Sequence, residues 1–75
     1  MTLEEYNSIL EAQGGGCAIC GCSSQPNKKA LPVDHNHKTG EVRGILCDKC
    51  NRAIGLFEDN PDILESAIRY LIKFK

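Results

Sequence analysis

Both histidines of the chain lie in one short stretch, residues 33–37, beside a carboxylate. Imidazole titrates near neutral pH, so His35 and His37 are candidate bases that could take a proton from water. The carboxylate of Asp34 and the amide oxygen of Asn51 are ligands of the kind that hard divalent cations prefer. A base close to a bound cation is the combination that hydrolysis of a phosphate ester requires.

Four of the five cysteines form two pairs, each with two residues between its members and with 26 residues between the pairs: Cys17, Cys20, Cys47 and Cys50. Paired thiolates with this spacing complete the tetrahedron that structural zinc prefers. The spacing therefore predicts a zinc clamp that joins the first pair to the start of a later helix. Since Asn51 follows Cys50, the same clamp is expected to hold Asn51 beside the stretch that carries Asp34.

Other uses of these residues fit the sequence less well than the zinc clamp does. An odd number of cysteines does not fit a closed disulfide framework, and a redox pair would need a βαβ context that the sequence lacks. The two histidines are alternative zinc ligands, but four cysteines already satisfy the ion. Cys22 could replace Cys20 in a wider spacing, although a free thiol near the site is the simpler interpretation. A polar turn with incidental histidines is the plainest alternative.

Local signals predict the elements that position these side chains. A capping box of Thr2 and Glu5 opens a first helix, which the glycines at 14–16 end. Strands over 30–35 and 41–46 form a hairpin, and a helix of about ten residues follows the second cysteine pair. Asn60 and Pro61 begin a last helix. Its apolar stripe is expected to be core: Leu64, Ala67, Ile68 and Leu71. The sequence thus predicts one small α+β domain over residues 1–75, with helices at both termini.

Length and charge limit the classes of function. A chain of 75 residues has a marginal core and needs a staple such as a metal. The net charge is −1, but residues 28–52 hold six basic against three acidic side chains. No stretch resembles a secretory signal or a membrane helix, so we expect a cytosolic protein in a reducing compartment, with no membrane partner.

The ordered motifs resemble the recombination endonuclease VII family, phage enzymes within the HNH, or His-Me finger, group of endonucleases. The resemblance covers roughly residues 14–72. It rests on the two cysteine pairs, Val33-Asp34-His35-x-His37, Lys38-Thr39-Gly40, Val42-Arg43-Gly44-Ile45-Leu46, Asn51 and Gly55.

The resemblance implies a ββα-metal motif and a function. Asp34 and Asn51 match the family's magnesium ligands, His35 matches the general base, and His37 matches a supporting histidine near the scissile phosphate. The four cysteines match the zinc ligands. The implied reaction is metal-dependent hydrolysis of DNA, by nicking or double-strand cleavage, which leaves 5′-phosphate and 3′-hydroxyl ends. Either Mg²⁺ or Mn²⁺ suits such oxygen ligands.

DNA is the partner that this interpretation requires. The candidate contacts to its phosphates are basic side chains in the middle of the chain, Lys38, Arg43, Lys49 and Arg52. Such contacts position DNA without reading its sequence, so we expect low sequence specificity. A second copy of the chain, or a phage packaging protein docked on the last helix, is a further candidate partner. If the protein is encoded by a phage, the expected location is the host cytosol.

A zinc-binding module without catalytic activity, which binds nucleic acid or protein, is the alternative interpretation. It would have no need of Asp34, His35 and Asn51 together. Their co-occurrence in one short chain favours the enzyme.

Overall fold

The structure, a computed structural model, describes residues 1–74 and confirms a small α+β fold. Its elements in chain order are α1 Leu3–Ala12, β1 Val33–His35, β2 Val42–Ile45, α2 Asp48–Leu56 and α3 Pro61–Lys73. The two strands form one antiparallel hairpin. None of the helices in residues 1–74 combines the length and the apolar composition that crossing a membrane requires.

Helix α1 begins as its capping box predicts and packs against the hairpin. The Thr2 hydroxyl accepts from the backbone N–H of Glu5 at 3.1 Å, and the Glu5 carboxylate accepts from the backbone N–H of Thr2. Tyr6 donates its hydroxyl proton to the carbonyl of Leu31 at 2.7 Å. The apolar face of α1 is therefore held against the segment that leads into β1.

The C-terminal end of α1 is joined to β2 by one side-chain amide. Gln13 Nε2 donates to the carbonyl of Ile45 at 2.9 Å, and Gln13 Oε1 accepts from the N–H of Ile45 at 2.9 Å. The amide thus pairs with both backbone groups of Ile45, as a neighbouring strand would. Because Ile45 is fully buried, this pairing satisfies backbone groups that would be costly to leave without partners.

The strands are shorter than predicted, and their pairing contains a bulge. Val33 pairs with Ile45, Asp34 with Gly44 and His35 with Val42, so Arg43 is an extra residue in β2. A bulge of this kind changes the direction of a side chain without ending the sheet.

The turn of the hairpin is shaped by Asn36, which follows β1 directly after its predicted end at His35. Its side-chain oxygen accepts from the N–H groups of Lys38 and Thr39 at 2.8 and 3.1 Å. Its carbonyl accepts from Gly40, which has a φ of +77°. An Asn side chain that bonds the backbone two residues ahead is a common way to build a turn. His37 therefore lies in the turn rather than on β1.

The buried core is small and contains much of the predicted zinc clamp. Six apolar residues within 1–74 are buried: Cys17, Leu31, Ile45, Leu46, Cys47 and Cys50. Half of this core consists of clamp cysteines. The remaining aliphatic side chains are few for an independent domain, so a metal held by the cysteines would supply much of the stability.

The prediction that α3 contributes a core stripe is wrong. The helix begins at Pro61 with Asn60 as its N-cap, as predicted. Leu64 and Ala67 are only half-buried, whereas Ile68 and Leu71 are 57% and 66% exposed. The 3.6-residue period correctly identifies an amphipathic helix, but it does not reveal whether another element covers the apolar face.

Candidate active site

The four predicted clamp cysteines come together as one cluster. Their Sγ atoms all lie within 4.8 Å of one another, and the Sγ atoms of Cys20 and Cys47 are 3.7 Å apart. Zinc–sulfur bonds of about 2.3 Å in a tetrahedron place neighbouring sulfurs about 3.8 Å apart. The donor set and its dimensions therefore fit a structural zinc ion, with no position left open for substrate.

Backbone pairing brings the two halves of the clamp together. Beyond β2, the N–H of Leu46 bonds to the carbonyl of Pro32 at 3.1 Å. The next residue, Cys47, is the N-cap of α2, and its sulfur accepts from the N–H of Cys50 at 3.5 Å. On the other side, the N–H of Ala18 bonds to the carbonyl of Ile45 at 3.0 Å. Backbone hydrogen bonds to the hairpin and its flanking residues therefore align both cysteine pairs.

The first cysteine pair depends on a glycine that precedes it. A Cβ atom at Gly16 would lie 2.4 Å from the carbonyl oxygen of Gly21 and 2.7 Å from that of Cys22. Both atoms belong to the backbone and cannot move away as a flexible side chain would. Gly16 is therefore required for the close approach that forms this turn.

The thiols of Cys17 and Cys50 have pKa values that are shifted in opposite directions. Burial tends to raise the pKa of Cys17, but hydrogen bonds from Cys20, Cys47 and Ile19 outweigh it and lower this pKa to about 6. Burial, together with hydrogen bonds to neighbouring thiols, raises the pKa of Cys50 to about 12. A divalent cation at the centre would favour the thiolate form at all four positions.

The fifth cysteine lies outside the four-sulfur cluster. Cys22 is half-buried, and its hydrogen bond to Cys20 is the largest factor that raises its pKa to about 12. Its thiol is therefore protonated at neutral pH beside the clamp.

Asp34 is buried and is held by the guanidinium of Arg43. Arg43 Nε donates to Asp34 Oδ2 at 2.7 Å, and one terminal nitrogen of Arg43 donates to Asp34 Oδ1 at 3.0 Å. The pKa of Arg43 is raised above its ordinary value, and the hydrogen bonds to Asp34 are the largest cause. The bulge at Arg43 places the guanidinium over the side of the hairpin that carries Asp34.

A second carboxylate contacts the same arginine from the loop between α2 and α3. Asp59 Oδ2 accepts from the terminal nitrogen of Arg43 at 3.3 Å and lies 3.8 Å from Nε2 of His37. Asp59 and its neighbour Glu58 both have a φ of +55°, a left-handed conformation that is unfavourable for residues other than glycine. Sequence reasoning missed this contact, because it depends on two acidic residues in a rare backbone conformation.

The predicted catalytic histidines are accessible to solvent. His35 ends β1 with an exposed side chain, and the side chain of His37 is 81% exposed in the turn. Asp34 and His35 are successive residues of β1 and point to opposite faces of the hairpin, so the carboxylate is buried while the imidazole faces out.

Asn51 lies in the first half of α2, where its N–H bonds to the carbonyl of Cys47 at 2.9 Å. It is half-buried, and its side-chain amide makes no hydrogen bond to any other part of residues 1–74. Its oxygen is therefore available as a ligand. The zinc clamp fixes its helix relative to the hairpin through Cys50, one residue earlier.

The four candidate phosphate contacts are divided between two places. Lys38 and Arg43 line a cleft with Asn36, His37 and Asp59. Lys49 and Arg52 lie on α2, beside the loop that contains Gln25. The side chains of Lys38, Lys49 and Arg52 point to solvent, whereas Arg43 is partly committed to carboxylates within the chain.

Sequence reasoning also missed a buried glutamine that supports α2. Gln25 Oε1 accepts from the N–H of Asp48 at 2.7 Å, and Gln25 Nε2 donates to the carbonyls of Lys29 and Ala30. All the polar atoms of this side chain are thereby satisfied in the interior. It fixes the polar loop against the first turn of α2, which a pattern of residue types does not predict.

A cysteine-clamped hairpin followed by a helix is the architecture of the ββα-metal fold. The structure is similar over 99% of this chain to the crystal structure of the ββα-Me type II restriction endonuclease Hpy99I, with a TM-score of 0.68 and 38% sequence identity. The chain covers 43% of that protein. The predicted ββα-metal fold is confirmed.

The sequence model of the recombination endonuclease VII family matches residues 1–73, and the chain belongs to this family. It is also similar to two phage proteins, each called Gene 59 protein. The one from Mycobacterium phage D29 is 50% identical over 74 residues, and the one from Mycobacterium phage L5 is 47% identical over 73 residues. These alignments cover 97% and 96% of this chain but only 44% of each relative. The chain thus spans less than half the length of the relatives.

Proposed function

We propose that residues 1–75 form a single metal-dependent nuclease domain that hydrolyses phosphodiester bonds of DNA. The observation that carries the proposal is a buried carboxylate, Asp34, next to an exposed imidazole, His35, on a hairpin joined to a four-cysteine clamp. Membership of the recombination endonuclease VII family supports it. Burying a carboxylate is costly without a specific partner, and Asp34 has one in Arg43.

The cation site in this proposal consists of Asp34 and Asn51. Their oxygen donors suit Mg²⁺ or Mn²⁺, and sulfur ligands would not. The two bonds from Arg43 leave lone pairs on both oxygens of Asp34, so the carboxylate retains capacity for a cation. When bound, the cation would neutralise charge on a non-bridging phosphate oxygen and on the departing 3′-oxygen.

His35 is the general base of this scheme. Its exposed imidazole accepts a proton from water, and the resulting nucleophile attacks phosphorus in line with the 3′-oxygen. His37 has a supporting role near the phosphate, in the cleft that also contains Arg43. The products carry 5′-phosphate and 3′-hydroxyl ends.

DNA is held through its backbone in this proposal. Lys38, Lys49 and Arg52 offer exposed ammonium and guanidinium groups, which contact phosphates regardless of sequence. With few such contacts, the affinity for DNA is expected to be modest and to fall as salt rises.

Cleavage of a supercoiled plasmid by zinc-loaded protein tests the function. We expect Mg²⁺ or Mn²⁺ to be required, and Asp34→Asn to lower the rate roughly 100-fold or more, because a bound metal supplies several kcal/mol of transition-state stabilisation. Asp62→Asn is the matched control, since this exposed carboxylate lies at the start of α3.

Asn51→Ala, which alters the other proposed ligand, is the second test variant. It should lose activity as Asp34→Asn does, while keeping the zinc content and thermal melting of wild type. Asp34→Asn should keep its zinc but melt at a lower temperature, because it removes the charge that Arg43 pairs with. Wild-type protein that is folded and holds zinc, but leaves the plasmid intact with either cation, would contradict the proposal and favour a binding module without catalysis.

A further inference from the structure

The Arg43 guanidinium is shared between two carboxylates from different parts of the chain. It makes two bonds to Asp34 on β1 and one bond to Asp59 in the loop after α2. The same terminal nitrogen serves both acids, at 3.0 Å from Asp34 Oδ1 and 3.3 Å from Asp59 Oδ2. Arg43 therefore already lies between two acceptors and needs only a small movement to favour either one.

A cation on Asp34 would change the balance between these two acceptors. A guanidinium and a divalent cation that share one carboxylate repel each other, and the repulsion is stronger where little water screens it. Asp34 is such a place, since its side chain is only 8% exposed. Asp59 is 25% exposed and offers a negative charge on the other side of Arg43.

The backbone that presents Asp59 is held in an unfavourable conformation. Glu58 and Asp59 have consecutive left-handed φ angles, and the N–H of Asp59 bonds to the carbonyl of Ile54 at 2.9 Å to end α2. This conformation is uncommon for residues other than glycine, and more unfavourable for Glu than for Asp. The conformation directs Asp59 back to the hairpin, where it contacts the side chains of Arg43 and His37.

From these contacts we infer that Asp59 is a positioning residue, which receives the Arg43 guanidinium when a divalent cation binds Asp34. The inference rests on the proposed cation site of Asp34 and Asn51. Asp59 acts through Arg43 and does not touch the cation. The other terminal nitrogen of Arg43 makes no hydrogen bond within residues 1–74, so it stays available to a phosphate oxygen.

Asp59→Asn isolates this role, because Asn has the same shape and tolerates the left-handed conformation. The measurement is the dissociation constant of Mn²⁺ for the zinc-loaded chain, from the electron paramagnetic resonance signal of free Mn²⁺. We expect Asp59→Asn to weaken Mn²⁺ binding roughly tenfold, the usual effect of losing a residue behind a metal ligand. Asp62→Asn, an acidic residue outside the network, should bind as wild type does.

A double-mutant cycle with Arg43→Gln shows whether Asp59 acts through the arginine. In that background, Asp59→Asn should change the Mn²⁺ dissociation constant by less than about twofold. If Asp59→Asn weakens Mn²⁺ binding as much in the Arg43→Gln background as in wild type, Asp59 acts on the cation directly. If Asp59→Asn and Asp62→Asn bind Mn²⁺ equally well, Asp59 has no role in cation binding. Either result overturns the inference. If wild type shows no Mn²⁺ binding that Asp34→Asn removes, the proposed cation site fails as well.

A second measurement uses wild-type protein and therefore does not depend on whether an Arg43 variant folds. The Nε–H of Arg43 gives its own signal in a ¹H–¹⁵N correlation spectrum, and its bond to Asp34 is short, at 2.7 Å. Addition of Mg²⁺ to wild type should shift this signal as the guanidinium moves toward Asp59. A signal that stays in place while Mg²⁺ binds would overturn the inference.

Discussion

Replacing Cys47 with serine will produce a chain that neither retains zinc nor folds at neutral pH. Cys47 is 3% exposed, its sulfur belongs to the four-cysteine cluster, and it caps the N-terminus of α2. Structural zinc contributes on the order of 10 kcal/mol to the folding of small domains. That is comparable to the whole stability of an ordinary domain, and half of the buried core here consists of clamp cysteines. Zinc per chain by elemental analysis and helix content by circular dichroism check this prediction.

The chain provides its own control for this experiment. Cys22 is the one cysteine outside the cluster, so Cys22→Ser should keep one zinc per chain and melt close to wild type. A strong chelator should unfold both wild type and Cys22→Ser, since binding of the ion and folding are coupled. A folded, zinc-containing Cys47→Ser variant, or loss of zinc from Cys22→Ser, would contradict the four-cysteine assignment.

The second large effect concerns the proposed base. We expect His35→Ala to slow DNA cleavage roughly 10²- to 10⁴-fold, the range that a general base contributes. Stability should hardly change, because the His35 side chain is exposed and makes no side-chain hydrogen bond within residues 1–74. Single-turnover cleavage at saturating Mg²⁺ separates this loss from weaker DNA binding.

His37→Ala is the matched comparison, since it removes the other imidazole of the same hairpin. A supporting histidine should cost less activity than the base. Equal activity of His35→Ala and wild type would refute the role assigned to His35. A larger loss from His37→Ala than from His35→Ala would exchange the two roles.

Local signals were enough to predict the clamp and the helix starts. The spacing of the cysteine pairs reflects the geometry of one ion, and the capping residues Thr2 and Asn60 act within their own turns. These features depend on residues close in sequence, or on a metal preference that few other patterns share. The clamp and these helix starts could therefore be predicted from the sequence.

Features that depend on contacts between residues far apart in the sequence could not be predicted. The bulge that turns Arg43 toward Asp34 is decided by the pairing of two strands, and the approach of Asp59 by two left-handed residues after α2. Gln13 and Gln25 replace backbone partners with side-chain amides, for which no short motif exists. The exposure of α3 escaped prediction because amphipathic spacing does not identify what an apolar face meets.

We propose that the zinc clamp holds a separate hard-cation site between the hairpin and α2. Anomalous diffraction from crystals of the zinc-loaded protein soaked in Mn²⁺, recorded at the zinc and manganese edges, tests it most directly. We predict a zinc peak among Cys17, Cys20, Cys47 and Cys50, and a manganese peak in contact with the side-chain oxygens of Asp34 and Asn51. Manganese bound elsewhere, with none between those two side chains, would rule out this cation site.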